Sequence, residues 1–278
     1  DDIGFTIAPK LNSAGRMDDA SIALNFLLSK DQSSAYESLA VLDELNSYRK
    51  TIQERISNEA EQKSNKEDRA VVVWAEDWHE GIIGIVASKL SNSHKKPAFI
   101  FSIQNGIAKG SARANSNINL YDLISKASHL LLGFGGHKNA AGLSLLEENL
   151  PEFKEIINKE IEKADDILHN EFITLGELDV SSVDLEFISI IESFEPYGLE
   201  NNRPVFRVSN ANLVKSELIG KDKNHLKLTL SSDGFVFEAL KFFNSNTNLN
   251  DKLDLIVSIS KNEFRGVVTP SFLIQEFL

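Results

Sequence analysis

Residues 70–168 alternate between short apolar runs and longer segments with helical periodicity, and this alternation constrains the fold more than any other feature of the chain. The runs that predict strands are 70–75, 97–103, 106–113 and 141–146. The segments that predict helices are 80–91, 119–132 and 151–168. Strands and helices of these lengths in alternation predict an α/β domain with a mostly buried sheet.

A glycine-rich decapeptide, GFGGHKNAAG at 133–142, lies before the last of these strands. Its glycines and alanines let a ligand approach the backbone, while amide N–H groups, the His137 imidazole and the Lys138 ammonium are available as donors. This composition suits a phosphate or a nucleotide. A glycine-rich turn in which His137 binds a local carbonyl explains the decapeptide equally well.

A second donor-rich segment, KGSAR at 109–113, favours the anion-binding interpretation. Gly110 permits close approach, Ser111 offers a hydroxyl, and the Arg113 fork matches phosphate oxygens. Residues 81–146 contain seven lysines and arginines against one acidic residue, Asp122, whereas the whole chain has a net charge of −12. A positive region in an acidic chain indicates a focused polyanion site. The alternative is a chance run of lysines on a solvated face.

The flanking regions follow other patterns. Before residue 67 the apolar spacing predicts two helices, with Asp18 or Asp19 capping the first and Ser33 or Ser34 capping a long second one. After residue 170 several short strands and one early helix predict a small closed barrel. Residues 170–278 have a net charge of −6, so most of their phenylalanines are expected in the core rather than on a base-stacking surface.

Five motifs carry a family resemblance. In chain order they are APKLNSAGRM (8–17), DWHEGIIGIVASKL (77–90), KGSARA (109–114), GFGGHKNAAGLSL (133–145) and PYGLENNRPVF (196–206). Together they resemble the C-terminal half of RecJ-type single-stranded-DNA-specific exonucleases, of the DHH/DHHA1 phosphoesterase superfamily. The resemblance implies a helical connector over 1–66, a DHHA1 α/β domain with a mixed sheet over 67–169, and an OB-fold barrel over 170–278.

The same resemblance implies roles for individual residues. Ser111 and Arg113 would hold a 5′-terminal phosphate, with Lys109 and Gly110 in the same segment. Arg16, beside Asn12, would reach the nucleic-acid backbone. The loop formed by Gly135, Gly136, His137 and Lys138 would contact the substrate, with His137 near the scissile phosphate. In the family the connector flanks the substrate cleft, although the pattern of residues 32–63 also fits an ordinary packed helix.

Members of this family bind two Mn²⁺ or Mg²⁺ ions through a DHH domain, and the Asp-His-His triplet of that domain is absent from this sequence. We therefore expect a substrate-binding half of a 5′-to-3′ exonuclease, without metal ligands and inactive alone. The alternatives are an oligonucleotide or bisphosphonucleoside phosphatase and a non-catalytic single-strand-binding module. The implied partners are single-stranded DNA with a 5′ end and a single-strand-binding protein or helicase. The lack of cysteine and of signal or membrane-spanning runs fits a cytoplasmic protein.

Overall fold

The computed structural model describes residues 2–114, 118–163, 173–198, 200–220, 223–242, 244, 247–264 and 266–278. The chain divides into two compact units, residues 1–170 and 171–278. The division of the first unit into a connector and an α/β domain stays a prediction.

A π-helical segment (Asp2–Ile7) opens the first unit and is followed by three α-helices: α1 (Ala8–Met17), α2 (Ser21–Leu28) and α3 (Gln32–Lys63). The cap of α3 is Asp31, whose carboxylate accepts from the Ser34 backbone N–H, so the predicted serine cap is wrong. An ion pair between Lys10 and Asp43 at 2.5 Å joins α1 to α3. Among the described residues no helix combines the length and the apolar content needed to cross a membrane.

The rest of the first unit is a five-stranded mixed sheet between helical layers. Its elements are β1 (Val71–Glu76), α4 (Glu80–His94), β2 (Ala98–Gln104), β3 (Ile107–Arg113), α5 (Leu120–Ser125), β4 (Leu131–His137), β5 (Ala140–Leu146) and α6 (Leu150–Glu162). The strand order is β1-β2-β3-β5-β4, with β1 and β2 parallel and the other pairs antiparallel. The predicted α/β class with a mixed sheet is confirmed.

Alternation along the strands gives the sheet two different faces. One face packs against α5 and α6, where Phe153 contacts the rings of Phe99 and Phe101 edge-on at 5.6 and 5.7 Å. The other face packs against α3 and α4 through Val71, Val73 and Ile100. On this second face the glycines of β4 and β5 are exposed, so the part of the sheet beside β3 is open to solvent.

Two sequence expectations for this unit are wrong. The helix predicted over 119–132 ends at Ser125 in α5, because Leu131 already pairs with Leu145 of β5. The glycine-rich segment before His137 is not a loop but the edge strand β4. Glycine has a low intrinsic preference for strands, so the glycine-rich composition of β4 did not predict that this segment pairs with β5.

The second unit is a closed barrel of five strands. Helix α7 (Leu185–Glu192) precedes β6 (Phe206–Ile219), β7 (His225–Ser232), β8 (Phe235–Lys241), β9 (Lys252–Phe264) and β10 (Val267–Phe277). The strand order is β10-β8-β7-β6-β9, and antiparallel pairing of β9 with β10 closes the barrel. Leu226, Leu228 and Leu230 of β7 point into the core at alternate positions. The predicted barrel is confirmed.

The close contact at Gly110 predicts a stability effect. A Cβ at this position would lie 2.3 Å from the buried Phe101 ring, whereas a Cβ at Gly142 would meet nothing within 4 Å. Gly110→Ala should therefore lower the free energy of unfolding by about 1–3 kcal/mol through overpacking. Urea unfolding followed by tryptophan fluorescence measures it, since both tryptophans, Trp74 and Trp78, lie in the first unit. Gly142→Ala is the control, and an equal loss in both variants would contradict the packing argument.

Candidate functional site

The register of β3, β5 and β4 places three rows of residues on the open face of the sheet. Residues that pair directly across antiparallel strands have their side chains on the same face. The rows, read from β3 through β5 to β4, are Arg113–Ala140–His137, Ser111–Gly142–Gly135 and Lys109–Ser144–Gly133. The polar side chains of β3 and His137 of β4 thus stand on either side of a floor of small residues.

The floor of this face is open because its central positions have no side chain. A Cβ at Gly135 or at Gly142 would meet no atom within 4 Å, and both glycines are exposed. A ligand can therefore approach the sheet backbone here, as the sequence predicted for the decapeptide.

Two of the predicted glycines lie on the opposite face and have a different role. Gly110 faces Phe101 and Leu143 in the core. At Gly136 a Cβ would lie 2.4 Å from the Ala140 carbonyl oxygen and 2.7 Å from the Ala141 Cβ. Packing within the sheet requires glycine at both positions, and their predicted contact with a substrate stays a prediction.

Arg113 is held at the edge of the open face by neutral groups. Its Nη1 donates to the Ser111 hydroxyl at 3.0 Å and to the Ala112 carbonyl at 2.7 Å. Helix α4 borders this pair: a Cβ at Gly84 would lie 3.1 Å from Ser111 Oγ and 3.3 Å from Arg113 Nη2. Glycine at this position of α4 therefore leaves room for the guanidinium and the hydroxyl.

Arg16 enters the same region from α1. A Cβ at Gly81 would lie 2.2 Å from the Arg16 carbonyl oxygen, so the first turn of α4 contacts the last turn of α1 directly. The Arg16 side chain folds back and donates to the Gly81 carbonyl at 3.2 Å. Asn12, predicted with Arg16, is exposed one turn earlier on α1.

A third arginine, Arg49 of α3, lies near the end of α1 that carries Arg16. Met17, which follows Arg16, and Ile52, three residues after Arg49, pack against the same apolar cluster. Partial burial lowers the pKa of Arg49 and of Arg113, and the charge of Arg16 is the second cause for both. We call Arg16, Arg49 and Arg113 the arginine cluster. Within the described part of the chain no carboxylate forms an ion pair with any of its members.

The other predicted residues lie at the margin of the cluster. Lys109 is ion-paired with Glu80, the first residue of α4, at 3.0 Å. His137 and Lys138 are exposed, and the Lys138 carbonyl accepts from the Leu120 N–H at the start of α5. His79 accepts the Gly81 N–H through Nδ1 and caps α4, which gives it a structural role.

Sequence reasoning missed Arg49. The apolar spacing of the long helix predicts which face is buried and puts Arg49 on another face, since helical periodicity only separates core positions from the rest. Its neighbour Asn46, a polar side chain at a buried position three residues earlier, is the sequence signal that marks this face. A buried asparagine on an otherwise apolar face needs a hydrogen-bond partner, and that partner is Arg49.

The barrel offers a different electrostatic environment, because five of its described cations are paired with acids. The ion pairs are Arg203–Glu195 at 3.2 Å, Arg207–Asp254 at 3.1 Å, Lys215–Glu217 at 2.6 Å, Lys227–Glu238 at 2.7 Å and Lys261–Glu192. The Lys241 ammonium donates to the Gln275 carbonyl. Lys223 is exposed, and Arg265 lies outside the described residues.

The phenylalanines of the barrel divide between core and surface. Phe237 is buried and Phe206 packs against the core, as expected for most of them. Phe235 is 41% exposed and Phe242 is 50% exposed, with the Phe242 ring edge-on to His225 at 5.2 Å. Phe243 and the side chain of Phe264 lie outside the described residues. Phe235 and Phe242 are thus the two described candidates for base stacking.

Comparison with known proteins identifies the family. The DHHA1 domain model matches residues 67–163, and the RecJ OB domain model matches residues 176–276. The single-stranded-DNA-specific exonuclease RecJ of Bacillus subtilis is 32% identical over 99% of this chain, and that of Haemophilus influenzae is 34% identical over 95%. The chain belongs to the RecJ family. It spans 36% and 49% of the lengths of these two RecJ proteins.

A solved structure shows the same architecture. Thermus thermophilus RecJ in complex with Mn²⁺ superposes over the whole chain with a TM-score of 0.83 at 26% identity, and the match covers 41% of that RecJ chain. The helical segment, the DHHA1 sheet and the OB-fold barrel are therefore RecJ family features. In this chain no group of three or more histidine, aspartate or glutamate side chains able to hold a metal is found among the described residues.

The arginine cluster predicts that simple anions stabilise the first unit. Replacing chloride by inorganic phosphate at matched ionic strength should raise the Tm followed by tryptophan fluorescence, because a ligand that binds only the folded state stabilises it. Arg113→Gln should reduce this rise. Arg55→Gln, which removes an exposed arginine paired with Glu59 on α3, is the control. Equal phosphate effects in wild type and Arg113→Gln would show that the stabilisation is not specific to the cluster.

Proposed function

We propose that this chain is the substrate-binding part of a single-stranded-DNA-specific 5′-to-3′ exonuclease that acts in DNA repair and recombination. The observation that carries the proposal is the arginine cluster beside the glycine floor of the DHHA1 sheet. The family membership supports it, since the RecJ relatives are named as single-stranded-DNA-specific exonucleases.

In this proposal the terminal phosphate of the strand binds at Ser111 and Arg113. The guanidinium fork of Arg113 presents two parallel donors to two phosphate oxygens, and the Ser111 hydroxyl donates to a third. Arg16 adds positive charge. Lys109 is a further cation, and its ion pair with Glu80 holds it at the margin of the arginine cluster. A terminal phosphate carries about −1.5 to −2 charges near neutral pH, more than an internal phosphodiester, so the cluster favours an end over the middle of a strand.

The glycine floor holds the nucleotide behind that end. Gly135 and Gly142 let the sugar or base approach the sheet, and His137 stands across the floor from Arg113, one row beyond Gly135. We assign His137 to a contact near the scissile phosphate, with Lys138 and Asn12 as further backbone contacts. The OB-fold barrel would hold the continuing single strand, with Phe235 and Phe242 as stacking surfaces.

Hydrolysis would require metal ligands in addition to the residues of the arginine cluster and the glycine floor. Two RecJ structures are complexes with Mn²⁺ or Mg²⁺, and the chain spans about half or less of its curated relatives. We propose that the rest of a RecJ polypeptide supplies the metal ligands. Residues 1–66, 67–169 and 170–278 would then serve as connector, end-binding domain and strand-binding domain. A cytoplasmic location fits a chain without cysteine.

End recognition is tested by fluorescence anisotropy with a short labelled DNA strand that carries either a 5′-phosphate or a 5′-hydroxyl. Wild type should bind the phosphorylated strand more tightly. Arg113→Gln should weaken that binding by about 1.5–3 kcal/mol, the value of a charge-assisted hydrogen bond, and remove the preference. Arg55→Gln should keep it. An Arg113→Gln chain with an unchanged preference for phosphorylated ends would refute the assignment.

Cleavage is tested separately with the 278-residue chain alone. With Mn²⁺ or Mg²⁺ present, we expect no shortening of a 5′-phosphorylated single strand above the metal-only background. Release of mononucleotides by the chain would refute the proposal that this chain binds the substrate while the rest of a RecJ polypeptide supplies the metal ligands. Phosphate-dependent binding without cleavage would support it. A bisphosphonucleoside phosphatase is the less favoured function, because a small substrate does not need the OB-fold barrel.

A further inference from the structure

Arg49 is held in place by neutral side chains rather than by acids. Its Nε and Nη2 donate to Asn46 Oδ1 at 3.2 and 3.1 Å, and its Nη1 donates to Gln53 Oε1 at 2.6 Å. Asn46 is only 7% exposed, so the amide that orients the guanidinium is itself fixed by packing. The result is an oriented guanidinium that retains its full charge.

This arrangement differs from an ordinary surface arginine on the same helix. Arg55 is exposed and forms an i,i+4 ion pair with Glu59 at 3.3 Å. Arg49 is half-buried, no ion pair to a described carboxylate neutralises it, and it lies within electrostatic reach of Arg16. Partial desolvation beside a like charge costs free energy, which a purely structural role would avoid by using an uncharged side chain.

The position of Arg49 relative to the phosphate site follows from helix packing. Helix α1 is joined to α3 by the Lys10–Asp43 ion pair at 2.5 Å. The last turn of α1 brings Arg16 against α4, next to Gly81. Met17, the residue after Arg16, and Ile52, three residues after Arg49, pack against the same apolar cluster, so the end of α1 lies beside this part of α3. The charge of Arg16 is the second cause, after burial, of the lowered pKa of both Arg113 and Arg49. The three cations therefore extend from β3 towards α3.

A single terminal phosphate does not use all three arginines. It has three free oxygens, and the Arg113 fork with the Ser111 hydroxyl accounts for them. Arg16 adds charge on the same side, which leaves the oriented guanidinium of Arg49 available to a second anion. In a nucleic-acid strand the nearest second anion is the next phosphodiester.

We propose that Arg49 binds the phosphodiester that follows the terminal phosphate, so that the site recognises the first two phosphates of a strand rather than a lone end. This inference rests on the proposed function, which places the terminal phosphate at Ser111 and Arg113. It makes Arg49 a residue that distinguishes a strand from a released mononucleotide. Product would leave more readily than substrate because it lacks the second contact.

The test compares three ligands by isothermal titration at low salt: 5′-phosphorylated thymidine, the 5′-phosphorylated thymidine dinucleotide, and the same dinucleotide with an uncharged methylphosphonate linkage. Wild type should bind the charged dinucleotide about tenfold more tightly than either of the others, about 1.4 kcal/mol. Arg49→Gln should bind all three within about twofold of each other, because it loses far more affinity for the charged dinucleotide than for the mononucleotide. Arg55→Gln is the matched control on the same helix, and it should behave as wild type.

Different failures have different meanings. If Arg49→Gln weakens the mononucleotide and the dinucleotide by the same factor, Arg49 belongs to the terminal-phosphate site and the proposal is wrong. Equal affinities of wild type for the charged and methylphosphonate dinucleotides would also overturn it, whatever the folding of the variant. If wild type does not distinguish a 5′-phosphate from a 5′-hydroxyl, the proposed function itself fails. Arg49→Lys, which keeps the charge without the fork, should retain part of the dinucleotide preference.

Discussion

The pairing register of β3, β5 and β4 is the constraint on which the site depends. In the observed register Ser111, Gly142 and Gly135 share the open face, while Gly110 faces the Phe101 ring in the core. A slip of one residue would exchange the two faces and put the polar side chains of β3 into the core. The close contact at Gly110 excludes this slip, because only glycine fits against Phe101. The packing of Gly110 on the core face therefore determines which side chains of β3 lie on the open face.

The arginine cluster shows how a stable framework can carry an unfavourable charge arrangement. The charge of Arg16 disfavours the charged forms of Arg49 and Arg113, and partial burial disfavours them more. The surrounding contacts compensate by fixing the backbone: Gly81 brings α4 onto α1, and the Lys10–Asp43 ion pair joins α1 to α3. In the barrel, by contrast, cations such as Arg207 and Lys227 are neutralised by neighbouring carboxylates. Among the described residues, the three members of the arginine cluster in the first unit form no ion pair with a carboxylate.

The sequence predicted most of the fold but only part of the site. Strands with apolar runs and helices with clear periodicity were found, since burial imposes those patterns directly. Strand β4 was missed because its pairing partner, not its composition, makes it a strand. Ser111 and Arg113 were predicted from a short motif, whereas the position of Arg49 depends on a contact between helices that no local pattern encodes. Gly110 was predicted as a substrate contact, and in the structure it faces the Phe101 ring in the core.

The acidic charge of the chain adds to the selectivity of a positive site instead of opposing it. With a net charge of −12, most of the surface repels a polyanion, and an internal stretch of a strand gains little from approaching it. In the proposed function a phosphorylated end would bring extra charge to one point, where the arginine cluster would concentrate the attraction within roughly 10 Å, the screening length at about 0.1 M salt. Short-range attraction combined with wider repulsion would then favour ends over interiors. A uniformly basic surface would instead bind every segment of the strand alike.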